Sequence, residues 1–362
     1  MRPRNQNARD QLTRALARRR RASASELAED VGVSVATLHR LLQELDGRVV
    51  AAGAARRTRY ALRRDLRGEA IQLPLYEIDS QGRASPLAHV SPLHPEGSWA
   101  HLAGTSWPVP DDARDGWWEG LPYPLYDMRP QGFMGRQFAR AEHRRLRVPE
   151  DPDRWSDDDI LHALSHGGSD SGGNLILGDP AFERWAQAKA APPQPLKPAH
   201  TGRAYATLAE QAVATGVAGS GAGGEFPKFT ALRELARSAT PHVLVKFSGA
   251  DGSSVVQRWS DLLVCVAAVP EVESARSRIL QSAGRTFLEV ERFDRHGLYG
   301  RSRLCSLETL NAAFLGADTS DWPSVAHGLA GRQWLDPRDV LRIQRLWWFG
   351  KLIPTPTCTP AT

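Results

Sequence analysis

The sequence predicts an α+β fold with three domains and a tail. We expect a winged helix-turn-helix over residues 1–66, a mixed α/β subdomain over 67–200, and a lobe with a glycine-rich loop over 201–353. Three observations predict this: leucines with helical spacing behind a serine near the N-terminus, a proline-rich link before residue 200, and a glycine run that precedes alternating strands. Residues 354–362 form the tail.

Composition describes an ordinary soluble protein of two or three domains. Of its 362 residues, 41% are hydrophobic and 24% are charged, and there is no apolar run of about 18 residues that would span a membrane. The basic N-terminus lacks the apolar stretch of a signal peptide. Cys265, Cys305 and Cys358 lie far apart without metal-ligand spacing, so we expect reduced thiols, no metal site and a cytoplasmic protein.

Positive charge is concentrated near the N-terminus. Residues 1–70 hold 16 Arg against 8 acidic residues, whereas the rest of the chain holds 30 basic and 33 acidic residues, which together give the net charge of +5. A basic segment on a neutral body is typical of a nucleic-acid-binding module joined to another domain.

Three short helices account for most of the first domain. Residues 10–16 open an amphipathic helix, residues 25–31 form a second helix with Gly32 at its turn, and Ser34 caps a third. The inward face of the third helix repeats at i, i+3, i+4 and i+7 through Leu38, Leu41, Leu42 and Leu45.

Two strands around Gly53, at residues 49–51 and 58–62, predict a wing after the third helix. In a helix-turn-helix the third helix meets base edges, and basic residues at a wing tip suit phosphates. The residues that we expect to contact DNA are Ser34, Thr37, Arg40, Arg56, Arg57 and Arg59. A small helical protein-interaction domain is the alternative interpretation.

The middle segment offers few chemical signals. Residues 73–79 alternate like a strand. Three consecutive acids at 157–159 resemble a metal cluster, but a helix cap at residues 156–157 with acids in its first turn explains them better. His166 and Asp170 stand beside glycines, where turn residues are a better interpretation than a catalytic pair.

A glycine-rich loop and the lysine that follows it form the main candidate site. Glycines let residues 219–224 present backbone N–H groups to phosphate oxygens, and Lys246 on the next strand supplies a point charge. A flexible turn is the alternative. Only five of the 46 basic residues are lysine, so the presence of both Lys228 and Lys246 in this segment favours phosphate binding.

The remaining periodicity predicts a helix, two strands, a helix, a strand and two helices, an order that resembles a kinase N-lobe. Their expected bounds are 204–215, 229–232, 242–247, 260–268, 286–294, 307–314 and 337–349.

With these pieces aligned, the chain resembles the HipA-family serine/threonine kinase toxins, and among them the YjjJ-like branch with a fused N-terminal helix-turn-helix. The resemblance covers roughly residues 70–353. It depends on four motifs, of which the last is the most specific: YDMRPQGF at 126–133, GGEFPKF at 223–229, VKF at 245–247 and VERFDR at 290–295.

The resemblance implies an ATP site. Lys246 matches the family lysine that holds ATP phosphates, and Glu291 and Phe293 match the hinge that receives adenine mainly through backbone groups. Ser220 is the serine available for autophosphorylation in the phosphate loop. The implied ATP-binding residues are Ser220, Gly221, Gly223, Gly224, Lys228, Lys246, Glu291 and Phe293, with ATP and Mg²⁺ as the cofactors.

The chain departs from the family at the catalytic stretch. The family places its catalytic Asp and a metal-binding Asn after a Gly-Lys-Leu-Ile-like helix end, whereas here residues 350–353 are followed by PTPTCTPAT. We therefore expect a truncated C-lobe, no catalytic residue, weak or absent ATP and Mg²⁺ binding, and an inactive chain.

The tail itself suggests a cause for this departure. Codons for residues 354–362 can be chosen so that reading two bases later gives Asn-Thr-Asp-Met-His-Pro-Gly-Asn, the missing stretch. We expect that one base was lost just after the Ile353 codon. An ordinary disordered Thr/Pro-rich end is the alternative.

The resemblance implies the toxin of a type II toxin-antitoxin system that phosphorylates a protein on Ser or Thr. We expect DNA contact through residues 1–66, a protein substrate or antitoxin as partner, and no membrane contact; a homodimer stays open. Two other classes stay open as well. One is a transcriptional regulator whose kinase-like body senses a ligand or dimerises, and the other is an antitoxin-like protein that sequesters a partner.

Overall fold

The computed structural model describes residues 3–68, 72–214, 225–249, 253–267, 269, 272 and 274–352. The chain divides into two compact units: Met1–Leu75 with Pro86–Pro122, and Tyr76–Ser85 with Tyr123–Thr362. No helix in the described ranges is long and apolar enough to cross a bilayer.

The described chain combines helices with antiparallel strand pairs, which is consistent with an α+β fold. The helices are α1 (Pro3–Arg18), α2 (Ala24–Val31), α3 (Val35–Glu44), α4 (Gly132–Leu146), α5 (Asp157–Gly167), α6 (Asp179–Ala190), α7 (Thr201–Ala214), α8 (Ser253–Ala267), α9 (Leu307–Leu310), α10 (Trp322–Gly331) and α11 (Pro337–Leu352). The strands are β1 (Val49–Ala52), β2 (Arg59–Leu62), β3 (Leu73–Ile78), β4 (Ala84–Pro92), β5 (Ser98–Trp99), β6 (Trp117–Trp118), β7 (Leu175–Leu177), β8 (Lys228–Leu232), β9 (His242–Phe247), β10 (Ser277–Ser282), β11 (Arg285–Glu291), β12 (Arg295–His296) and β13 (Gly300–Arg301).

The first three helices pack around a leucine core in the first unit. Ser23 and Glu26 form a capping box at the start of α2, and Gly32 ends that helix in the left-handed conformation at φ 69°. The three predicted helices are confirmed, and the four leucines expected to face inward, Leu38, Leu41, Leu42 and Leu45, are buried together with Leu12, Leu16 and Leu27.

The hairpin of β1 and β2 follows α3, as predicted. The strands pair antiparallel from Val49 opposite Leu62 to Ala52 opposite Arg59. A Cβ on Gly53, at φ 101°, would lie 2.7 Å from the Arg57 carbonyl oxygen, so the turn requires glycine. The hairpin also packs within this unit against Leu93, directly after β4, and Trp117 of β6, because both share a core with Val50 and Ala61.

The second unit is built around an antiparallel sheet of four described strands in the order β10-β11-β9-β8. One face of this sheet is an apolar core under α7, formed by Tyr205, Ala209, Ala212, Phe229, Val243, Val245, Phe247 and Phe287. Because side chains alternate across a strand, the residues between these face the opposite side of the sheet.

The last helices differ in part from the expectation. The segment predicted as one helix begins as α9 and continues as a π-helix over Asn311–Leu315. On α11, Leu341 and Trp348 are 56% and 62% exposed. Trp347 instead lies 5.5 Å, centroid to centroid, from the ring of Trp322, which packs α11 against α10.

Candidate functional site

Two lysines lie side by side on the face of the four-stranded sheet opposite the apolar core under α7. Lys228 is the direct cross-strand partner of Lys246, and Lys246 in turn pairs with Leu288 on β11. Directly opposed residues in a sheet have Cβ atoms about 5 Å apart, so the two ammonium groups share one region. Lys228 is 2% exposed and Lys246 is half-buried.

Burial of like charges makes this pair electrostatically costly. Burial, and then the charge of Lys246, lower the pKa of Lys228 to about 8. Burial also lowers the pKa of Lys246. An anion placed between the two side chains would favour the charged form of both lysines, so this arrangement favours a negatively charged ligand.

The end of the glycine-rich loop is fastened beside this pair. Arg136 on α4 donates from Nη1 to Glu225 Oε1 at 3.1 Å and makes a second bond to Oε2 of the same carboxylate. That hydrogen bond is the main cause of the lowered pKa of Glu225. The predicted loop residues Ser220, Gly221, Gly223 and Gly224 lie outside the described residues.

The predicted hinge follows the last strand of the sheet. The Glu291 N–H donates to the Arg276 carbonyl at 2.9 Å, and the Arg292 N–H donates to the His242 carbonyl at 3.0 Å. The strand was predicted to reach residue 294 but ends at Glu291. The side chain of Phe293 is 71% exposed, so this residue would act through its backbone.

An ion network fixes the segment directly after the hinge. Arg292 forms a bidentate pair with Asp294 through Nε at 2.9 Å and Nη2 at 2.8 Å, and Arg295 Nη2 donates to Asp170 at 2.9 Å. Burial alone would raise the pKa of Asp294, but Arg292 and Arg295 outweigh it and lower that pKa to about 2. Gly173 adds a backbone N–H to Asp294 at 3.0 Å. The network therefore turns the chain away from the sheet after Arg292.

In the first unit, the predicted DNA-contacting residues of α3 lie at its N-cap and in its first half. Ser34 is the N-cap and accepts a hydrogen bond from the Thr37 N–H at 3.2 Å. Arg40 is exposed one turn further along, while Leu38 and Leu41 face the core. This helix therefore presents a polar outer face with one unobstructed arginine.

The predicted wing arginines do not share one environment. Arg56 and Arg57 are exposed in a 3₁₀ turn between the two hairpin strands. Arg59 folds back on that turn and donates from Nη1 to the Thr58 carbonyl at 3.1 Å. Two of the three guanidinium groups are thus directed to solvent, and the third stabilises the turn.

The structure reveals residues that the sequence left unassigned. Asp170 was interpreted as a turn residue, but it accepts hydrogen bonds from both Arg292 and Arg295, more than 120 residues away. Arg136 was not assigned a role, although it lies three residues after the end of the YDMRPQGF motif. Neither pairing leaves a signal in one sequence, because both join residues far apart along the chain.

The three acids at 157–159 belong to a helix start. Ser156 and Asp159 form a capping box at the N-terminus of α5, which confirms the predicted cap. Within the ranges described, no group of three or more His, Cys, Asp or Glu side chains is arranged to hold a metal ion.

Comparison with known proteins gives two matches. The model of the YjjJ-like toxin middle domain matches residues 69–186. The toxin YjjJ of Escherichia coli strain K12 is 36% identical over 340 residues, which cover 91% of this chain and 73% of that protein.

Proposed function

We propose, from the premise that this chain belongs to the YjjJ toxin family, that its second unit binds a nucleoside triphosphate as the HipA-family serine/threonine kinase toxins do. The observation that carries the proposal is the cross-strand pair of Lys228 and Lys246 on the face of the sheet opposite the α7 core. Glu225 raises the pKa of Lys228, but burial and the charge of Lys246 outweigh it, so an anionic ligand would stabilise the pair.

The surrounding elements suit the parts of such a ligand. The triphosphate would lie against Lys246 and Lys228, next to the loop end that Arg136 fastens through Glu225. The adenine ring would lie toward Glu291 and Phe293, where the sheet ends. A lysine ammonium is a compact charge with rotatable donors, so it can neutralise phosphate oxygens in several orientations, which suits a mobile polyphosphate.

Mg²⁺, which the family implies, does not find a matching donor set in the described residues. Two acids at the proposed site already have partners: Glu225 bonds Arg136, and Glu291 pairs with Arg276. The proposal therefore includes no step through a metal ion.

Isothermal titration of the 362-residue protein with ATP tests this proposal. Wild type should bind, and Lys246→Ala should weaken binding at least tenfold, because one charge-assisted contact contributes about 1.5–3 kcal/mol. Lys197→Ala is the matched control, since Lys197 is an exposed lysine of the same unit. Identical isotherms for wild type and Lys246→Ala would contradict the proposal.

A second proposal concerns the first unit, which we infer binds duplex DNA, so that the protein acts as a transcriptional regulator. It is supported by the exposed Arg40 on the polar face of α3 and the exposed Arg56 and Arg57 in the hairpin turn. In this reading the kinase-like body senses a ligand or dimerises. Membership in a toxin family makes an antitoxin the protein partner that we propose.

A further inference from the structure

A cavity of about 300 Å³ lies in the second unit, beside the edge strand β8. Its wall is formed by α6, by the end of β8 and by the segment around β12 and β13. The residues of the proposed nucleotide site, Lys228, Lys246, Glu291 and Phe293, do not line it. Its volume is at the lower end of the range for small-molecule sites.

The ion network next to this cavity carries more positive than negative charge. Three arginines, Arg292, Arg295 and Arg301, face two carboxylates, Asp170 and Asp294, which leaves one uncompensated positive charge. Arg292, Arg295 and Arg301 are each nine-tenths or more buried. Buried charge of one sign is destabilising unless a counter-charge is supplied.

Arg301 is the arginine of this network that forms no ion pair with a carboxylate among the described residues. Its Nη2 donates to the Ser169 carbonyl at 2.6 Å, but its buried Nη1 finds no acceptor in the described part of the chain. Burial, and then the neighbouring Arg295, lower the pKa of Arg301 to about 9. Arg301 lines the cavity, and the exposed Arg184 of α6 adds a further positive charge to its wall.

Aromatic side chains complete the wall. Trp185 and Tyr299 both line the cavity, and the Lys189 ammonium lies 5.2 Å and 5.9 Å from the centroids of their rings. Flat apolar surface beside uncompensated guanidinium groups matches a ligand with an apolar ring and one anionic group. We propose that this cavity binds a small aromatic anion, with its phosphate or carboxylate toward Arg301 and Arg184 and its ring toward Trp185 and Tyr299.

Phenyl phosphate and benzoate are suitable probes, because they share one ring and differ in the anionic group. Each would be titrated calorimetrically into the full chain, with thermal unfolding as a second readout. We expect one site and a raised Tm with at least one probe, and about a tenfold loss of affinity in Arg184→Gln. Ala188→Phe, which fills the cavity from α6, should abolish binding, whereas Gln187→Phe on the same helix, outside the cavity wall, should not.

Lys246→Ala separates this proposal from the nucleotide site. Binding of the aromatic probe should be unchanged in that variant, even though ATP binding is lost. The proposal is overturned if wild type binds neither probe, if Ala188→Phe binds as wild type does, or if Lys246→Ala abolishes probe binding, since the ligand would then occupy the nucleotide site.

Discussion

At the residue scale, the buried charge of Lys228 should lower the free energy of unfolding while serving the proposed function. It is 2% exposed, its cross-strand neighbour is another lysine, and its pKa is lowered to about 8. Below pH 8 the Lys228 ammonium is charged in both states, but the native state solvates it poorly and water hydrates it fully in the unfolded chain. This cost diminishes as pH rises from 8 toward the ordinary lysine pKa, so the contribution of Lys228 to stability becomes more favourable over that interval.

Lys228→Met should therefore stabilise the protein at neutral pH. We expect the free energy of unfolding to rise by about 1–3 kcal/mol, since a pKa displacement of one unit corresponds to about 1.4 kcal/mol. The same variant should bind ATP at least tenfold more weakly. Chemical denaturation at pH 7 checks the first effect, with Lys197→Met as the control; a loss of stability in Lys228→Met would show that the lysine is structural.

Nucleotide affinity should also depend on pH through this lysine. Because the folded-state pKa of Lys228 is about 8, affinity should fall as pH rises from 7 to 9 and the ammonium loses its proton. Lys228→Arg keeps its charge over that range and should flatten the profile. A wild-type profile as flat as that of the arginine variant would exclude Lys228 from the phosphate contacts.

At the residue scale, sequence reasoning found what is local and chemically unusual. The scarcity of lysine in an arginine-rich chain indicated Lys228 and Lys246, and the structure places the two opposite each other. It missed the role of Asp170, because that carboxylate is paired with arginines more than 120 residues away. Ion pairs of this kind depend on tertiary contacts, which leave no periodic pattern in the sequence.

At the element scale, Asp127 shows how a motif residue positions a helix. Its carboxylate accepts hydrogen bonds from the Ser306 N–H at 2.6 Å, the Ser306 hydroxyl at 2.8 Å and the Thr309 hydroxyl at 3.1 Å. These contacts fix the start of α9 against the 3₁₀ segment Tyr123–Met128. The second residue of the YDMRPQGF motif thus has a structural role.

Asp127→Ala should destabilise the second unit. We expect a loss of about 2–4 kcal/mol in the free energy of unfolding, because three donors lose a charged acceptor in a half-buried site. Asp321→Ala, which removes the exposed N-cap of α10, is the control and should cost less. Equal effects of the two substitutions in thermal unfolding would contradict this role.

Elements with caps and regular periodicity were predictable, and elements that depend on tertiary contacts were not. Ser34, Ser156 and Gly32 marked helix ends because capping is a local interaction. Strand β10 was not predicted, since it is defined by pairing with β11. The hinge strand ended early at Glu291 because Arg292 is held by carboxylates that the sequence could not place there.

At the scale of the whole molecule, the charge distribution predicts salt-sensitive DNA binding. Residues 1–70 carry an excess of eight positive charges. Ion pairs within the first unit neutralise some of the arginines, since Arg19 pairs with Asp30 and Arg20 with Glu96. Among the residues described in that unit, the exposed Arg40, Arg56 and Arg57 form no ion pair. Each phosphate neutralised should add about 0.9 to the slope of log affinity against log salt.

Arg40→Ala should weaken binding of the full chain to its preferred duplex. We expect a cost of about 1–3 kcal/mol if the side chain reads a base, and a smaller, sequence-independent cost if it contacts phosphate. Arg83→Ala is the control, because it removes an exposed charge from a turn of the second unit. Absence of any salt-sensitive shift on duplex DNA, in wild type as in the variants, would contradict DNA binding.

The sheet face bearing Lys228 and Lys246 is the proposed site for the triphosphate of a nucleotide. An acyl phosphate of ATP tests it most directly, because the bound reagent transfers its acyl group to a lysine amine beside the phosphates. Peptide mapping by mass spectrometry should find acylation at Lys246 or Lys228, suppressed by excess ATP, while Lys197 is labelled slowly and without protection. Labelling spread over the lysines in proportion to exposure, or unaffected by ATP, would contradict the claim.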